Sequence, residues 1–184
     1  RPLTQQVTTL SKDTSKLLVG SFNVLNLETN EGDGDTDVAN GRFTAVASII
    51  VTNMASPDIV ALQEVQDNSG SEDDGVVAAD VTLQAIVDAI VAAGGPTYVY
   101  IDNTFIADNE SGGQPGGNIR TAYLYDESRV SLVAGSVNAL GFDGNQAPFN
   151  GARLPLAATF EYDGFAIEMV NVHFSSKGGS APIT

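Results

Sequence analysis

The sequence has no cysteine, no tryptophan, a single histidine, and only 8 Lys and Arg against 23 Asp and Glu. Without cysteine there are no disulfides, no thiolate zinc sites and no cysteine nucleophile. One histidine excludes the two-histidine zinc motifs and any histidine pair. A formal net charge of -15 excludes recruitment of nucleic acid or anionic lipid by long-range attraction. Any phosphate substrate must therefore be held locally, with the help of a cation. No stretch approaches the roughly 20 consecutive apolar residues of a bilayer-spanning helix, so no membrane partner is expected.

What is present is 184 residues, 42% of them hydrophobic, enough for one domain with a core of its own. The composition, rich in Gly and Asp and poor in Lys, leans toward a secreted bacterial protein. Residues 1–16 read as a polar arm and residues 17–184 as one domain, with no internal repeat and no break in composition.

Leu17 to Leu27 has the apolar density of a buried strand. A loop carrying Glu28, Glu31, Asp33, Asp35 and Asp37 follows. Helical spacing then runs through Phe43, Val46, Ala47, Ile50 and Met54, and Pro57 ends it by keeping its predecessor out of the helical region. Asp58 to Val65 is a second buried strand, polar only at its C-terminal end. Asp80 to Ala93 reads as a helix closed by Gly94-Gly95-Pro96, and Thr97 to Ile101 as a short strand. Antiparallel strands are expected over 118–125, 130–137, 153–162 and 165–174, the last two joined by a tight Asp163-Gly164 turn. The pattern predicts a mixed α/β domain.

Three strand ends carry polar residues that an apolar strand does not need: Asn23 with Asn26, Glu64, and Asn171 with His173. Each alone reads as a strand cap. Together they fit neighbouring strand ends of one sheet, a place where polar groups from distant parts of the chain can converge. Mg²⁺ prefers oxygen ligands and is often held by one or two carboxylates plus substrate phosphate, so a single Glu suffices for it.

These segments, in order, resemble the endonuclease/exonuclease/phosphatase superfamily, which includes deoxyribonuclease-like enzymes and secreted bacterial nucleases. The resemblance rests on Gly20-Ser21-Phe22-Asn23-Val24-Leu25-Asn26, Pro57-Asp58-Ile59-Val60-Ala61-Leu62-Gln63-Glu64-Val65, Asn118 to Tyr125, Arg153-Leu154-Pro155-Leu156, and Asn171-Val172-His173-Phe174. It implies a deoxyribonuclease-like, two-layer β-sandwich flanked by helices, and a divalent-metal-dependent phosphoesterase acting on nucleic acid or a smaller phosphoester. Glu64 would be the chief ligand of Mg²⁺ or Mn²⁺, Asn23 would orient that ligand, and His173 would stand beside the scissile phosphate. Arg120, Arg153 and Asn171 are candidate phosphate contacts, with a strand-edge salt bridge as the other reading of Arg120. Gln66 stands where deoxyribonuclease-like members carry an arginine, which leaves smaller substrates open.

The family carries a Gly-Asp-x-Asn segment and a near-terminal Asp-His after the histidine strand, and this sequence reaches Thr184 before either. The expectation is an N-terminal portion whose incomplete sheet is covered by a C-terminal fragment, a second copy or a partner chain. The alternative is a catalytically inactive acidic module using the same fold for calcium-dependent assembly. The acidic loops Asp33-Gly34-Asp35-Thr36-Asp37 and Glu72-Asp73-Asp74-Gly75 are candidate Ca²⁺ sites, although a solvated charge run is the simpler reading. Lys177 reads as a solvated loop lysine. Ser175 and Ser176 lack the G-x-S-x-G elbow of a serine hydrolase.

Overall fold

Apolar periodicity becomes tertiary structure in the computed structural model, which describes residues 6–34, 36–109, 116–141 and 153–174. In chain order the elements are β1 (Val19–Leu27), α1 (Arg42–Ser48), a π-helical turn (Ile49–Asn53), β2 (Ile59–Val65), α2 (Asp80–Ala92), β3 (Val99–Ile101), β4 (Arg120–Tyr125), β5 (Ser131–Leu132), β6 (Asn138–Ala139), β7 (Leu156–Tyr162) and β8 (Phe165–Asn171). The first sheet has the order β1-β2-β4-β3, with β1 parallel to β2 and the other pairs antiparallel. In the second, β7 pairs with β5, β6 and β8, all antiparallel.

The inner strands β2 and β4 are buried on both faces, which is why they read as continuous apolar runs, whereas β1, expected from its sequence to be buried, is an edge strand with every second residue exposed. Successive side chains alternate between the faces. Val60 and Leu62 of β2 and Ala122 and Leu124 of β4 join Phe43, Val46, Ala47 and Ile50 with Leu83, Ile86 and Ile90 in a core under the helices. Ile59 and Ala61 of β2 and Tyr123 and Tyr125 of β4 meet Leu156, Ala158 and Phe160 of β7 in a second core between the sheets. Phe160 anchors that second core: its ring meets Tyr123 edge-on at 5.7 Å and Tyr125 at 5.5 Å. Such a side chain contributes about 1.5–3 kcal/mol through burial. The fold is thus the expected helix-flanked pair of packed sheets.

Gly20 is dictated by close approach, since a Cβ there would lie 2.9 Å from Pro57 Cγ and closer still to the Met54 methyl. The strand expected over 130–137 is broken. Gly135 adopts φ 74°, and Ser136 turns back to donate its N–H to Val133 O, so β5 and β6 are two short pieces on one edge of β7. Ser136 replaces the missing rung, its hydroxyl accepting from Thr159 N at 3.0 Å. The helix expected from Phe43 to Met54 is α-helical only to Ser48. Among the described residues β8 forms the outer edge of the second sheet, with Phe165 and Val170 exposed along it.

The N-terminal arm is docked. Thr8 N–H donates to Asn53 O, Asn53 Nδ2 to Gln6 O, and Tyr162 O–H to Thr14 O. Lys12 reaches Asp126 at 2.8 Å and Asp58 at 3.5 Å.

Candidate functional site

The site grows out of two irregularities at the C-terminal ends of β1 and β2. In β2, Gln63 pairs with Thr121 but Val65 pairs with the adjacent Arg120, so Glu64 is an extra residue in a β-bulge. Its φ of 60° is in the left-handed region, sparsely occupied by residues other than glycine. The consequence is directional. Val60, Leu62 and Val65 all lie in the core under the helices. Regular alternation would have put Glu64 on that face with Val60 and Leu62, and Val65 on the other. The bulge restores Val65 to the core and frees the carboxylate.

β1 departs from its ladder at the same level. Between the pairs Asn23–Gln63 and Leu27–Val65 it carries two more residues than β2, and Leu25 and Asn26 have φ of 57° and 52°. Asn23 Oδ1 accepts from Leu25 N–H at 2.8 Å, which fixes the amide. Arg42, at the start of α1, donates to Val24 O at 2.7 Å and also to Leu25 O, pinning the irregular segment from outside.

Three of the residues singled out from the sequence meet here. Asn23 Nδ2 donates to Glu64 Oε1 at 2.8 Å, and His173 Nε2 lies 3.3 Å from the same oxygen. The side chains of His173 and Glu64 are 16% and 19% exposed, reachable by a ligand yet partly desolvated. The other imidazole nitrogen, Nδ1, is buried and has no hydrogen-bond partner among the described residues. Arg153 completes the group: one terminal nitrogen donates to Phe174 O at 2.9 Å, while its Nε is buried without a partner. Burial holds the His173 imidazole below its ordinary pKa of 6.5, and the Arg153 cation pushes the same way, against the opposing pull of Glu64. Burial likewise lowers the Arg153 pKa, partly offset by Glu64.

Two other candidates are occupied elsewhere. Arg120 is 1% exposed, and its fork bonds Asp102 at 3.0 Å, Asn118 O at 3.2 Å and Val77 O. It sits on the inner strand β4, buried on Asp102 rather than open at a strand edge. Asn171 is 3% exposed and spends its amide on Leu62 O, Ala122 O and Gln63. Lys177, Ser175 and Ser176 lie outside the described residues.

The acidic loops are not simple solvated runs. Glu28 is fully buried and Asp37 is 3% exposed, the latter paired with Arg42. Asp33 Oδ2 accepts from both the N–H and the hydroxyl of Ser71 at 2.8 Å, tying the first loop to the second. Asp35 lies outside the described residues. Among the described residues no group of three or more His, Asp or Glu side chains is arranged to hold a metal ion. What sequence reading missed is the bulge. No residue type marks it, because Glu64 occupies a conformation for which glycine would have been the only signal.

No protein-family model matches the chain, and no curated protein matches it. Among solved structures it is similar to a humanized D. rerio TDP2 carrying 14 mutations, with 17% identity over 82% of this chain and 44% of that one, and a TM-score of 0.45. It is also similar to D. rerio TDP2 complexed with single strand DNA product, at 15% identity over 78% and 42% of the two chains and a TM-score of 0.42. A third is an endonuclease/exonuclease/phosphatase family protein from Leptotrichia buccalis, at 17% identity over 81% and 54% and a TM-score of 0.45. The chain spans about half the length of these structures or less.

Proposed function

We propose that this chain carries the carboxylate, amide and imidazole of a divalent-metal-dependent phosphoesterase of the endonuclease/exonuclease/phosphatase type. The observation that carries the reading is the meeting of Asn23 of β1 and His173, just past β8, on one oxygen of Glu64 of β2.

The residues fit Mg²⁺ or Mn²⁺. Glu64 is a hard oxygen ligand held in place by Asn23, with its second carboxylate oxygen left for a cation that keeps most of its waters. Such a cation would supply charge neutralisation at the phosphate and lower the pKa of a water. The chain's own residues do the rest. Arg153, close enough to His173 and Glu64 to act on both electrostatically, would bring a guanidinium suited to a phosphate oxygen. Lowered basicity keeps His173 neutral near pH 7, with Nε2 beside the Glu64 carboxylate. Partial burial strengthens each of these interactions relative to bulk water.

Substrate class follows from charge. With a net charge of -15, the reading favours a small phosphoester over a long polyanion. The test is hydrolysis of a chromogenic phosphodiester with Mg²⁺, Mn²⁺ or chelator, alongside the Glu64→Gln variant. Cation-stimulated turnover reduced by about 10²–10³ or more in the variant supports the assignment. Turnover unchanged by Glu64→Gln ends it.

A further inference from the structure

One strand step beneath Glu64 lies a second polar group, which the phosphoesterase reading leaves unused. Gln63, 7% exposed, donates Nε2 to Asn171 Oδ1 at 2.8 Å. Asn171 donates Nδ2 to Leu62 O at 2.8 Å and to Ala122 O at 2.9 Å. All of this crosses the gap between the sheets, from β8 to β2 and β4. Elsewhere that gap is filled by apolar packing of Ile59, Ala61 and Tyr123 on Leu156, Ala158 and Phe160, an attraction without direction.

A buried, hydrogen-bonded amide pair returns little net stability over apolar residues of the same shape, because desolvation consumes most of the gain. What it adds is registration: its bonds form at one relative offset of the two sheets and fail at any other. The location makes that offset matter. Gln63 immediately precedes Glu64, and Asn171 is the last residue of β8, two residues before His173 on the segment that leaves the strand. Fixing Asn171 against β2 fixes His173 against Glu64.

We propose that Gln63 and Asn171 are positioning residues, a clamp between the sheets that sets the reach of His173 to the Glu64 carboxylate. The proposal rests on the reading that these two side chains form the working site. It does not require that the reaction be identified.

The lone histidine makes the test clean. With ¹⁵N-labelled histidine, one imidazole reports the solvent exchange of its Nε2 proton in the full chain. In the wild type that proton faces Glu64 and exchanges slowly. Gln63→Met and Asn171→Leu are each expected to speed exchange by about tenfold or more, the effect of losing a hydrogen bond to a charged acceptor. The double variant should go no further than the stronger single one, because the two residues act as a unit. Leu83→Ala, in the core under the helices, supplies the control for general loosening and should leave exchange within about twofold of wild type. If Asn171→Leu does not fold, Gln63→Met decides alone. Unchanged exchange in the clamp variants, an equal effect from Leu83→Ala, or a wild-type proton that exchanges freely each overturns the clamp. Loss of the protected proton in the variants, in a protein that hydrolyses no phosphoester, would leave the clamp standing and remove the functional reading instead.

Discussion

β2 begins at one cluster of charge and ends at another, and the two clusters are built on opposite terms. Before its first residue, Asp58 is fully buried with its carboxylate saturated. It accepts from Arg129 Nε at 2.9 Å and from Leu18 N–H at 2.8 Å, with Lys12 at 3.5 Å. Arg129 spends its remaining reach on Asp13 O, Lys16 O and the face of Tyr162. At the other end, Glu64 is partly open, its backbone is in a left-handed bulge, and neighbouring nitrogens of His173 and Arg153 are buried without partners. Saturation at one end fastens the arm and the strand start into the scaffold. The other end keeps its charged groups partly open and less fully bonded among the described residues. Charge or burial alone would not have separated the two; the count of satisfied partners does.

The comparison can be broken by exchanging the consequences of losing each carboxylate. Asp58→Ala removes the fully buried partner of the mostly buried Arg129 and leaves Leu18 N–H without its acceptor, and is expected to cost about 3–5 kcal/mol, read as a large fall in the thermal or denaturant midpoint. Glu64→Gln keeps the shape and the Asn23 contact surface, and it relieves a partly desolvated anion. Its stability should stay within about 1 kcal/mol of wild type, while the rise in midpoint on adding Mg²⁺ or Mn²⁺ disappears. Equal destabilisation by the two variants would show that both ends are scaffold.

A smaller effect sharpens the same contrast. Lys12 is one-third exposed, so its pairs with Asp126 and Asp58 are screened. Lys12→Ala should cost only about 1 kcal/mol and should be felt first in the arm, as faster cleavage near residues 6–16 in limited proteolysis. Cleavage there with no change from wild type would mean that Tyr162 and Asn53 hold the arm without it.

The elements that position the site were largely legible. Runs such as Ile59-Val60-Ala61-Leu62 announce a strand buried on both faces, and Asp163-Gly164 fixes the β7–β8 hairpin, so the expected strands match β1, β2, β4, β7 and β8 within a few residues. The convergence of Asn23, Glu64 and His173 was also anticipated from their strand-end positions. The roles of Arg120 and Asn171 were not separable in advance. An arginine beside a site and an arginine buried on Asp102 look alike until the path of the 102–109 loop is known. Asn171 reads as a site amide by sequence distance, yet the two-residue period carries it inward between the sheets, where its partners are main-chain oxygens 49 and 109 residues away. The left-handed Glu64 leaves no trace in residue type, and Gly135 was the overlooked sign that the 130–137 strand would break.

The smallest effect distinguishes the two ends by pH. Burial and Arg153 hold the native His173 pKa below 6.5, so the unfolded chain takes up a proton that the native state declines. Stability is then whole above pH 6.5 and declines as pH falls from 6.5 toward the lowered native value, because the unfolded state binds more protons in that window. At the Asp58 end the window lies lower. Burial alone would raise the Asp126 pKa, but hydrogen bonds and charge from Lys12 and Ser128 outweigh it and hold the native value below 3.8. That contribution is intact above pH 3.8 and is lost only as pH falls further, through the native value. Unfolding midpoints measured against pH in chelator should therefore show two separate declines. His173→Gln should erase the upper one and leave the lower, whereas Lys12→Ala should weaken the lower and leave the upper. An upper decline that survives His173→Gln would mean that the imidazole is as well solvated in the folded protein as in the unfolded chain, and with that the distinction between a saturated end and an open, desolvated one would fail.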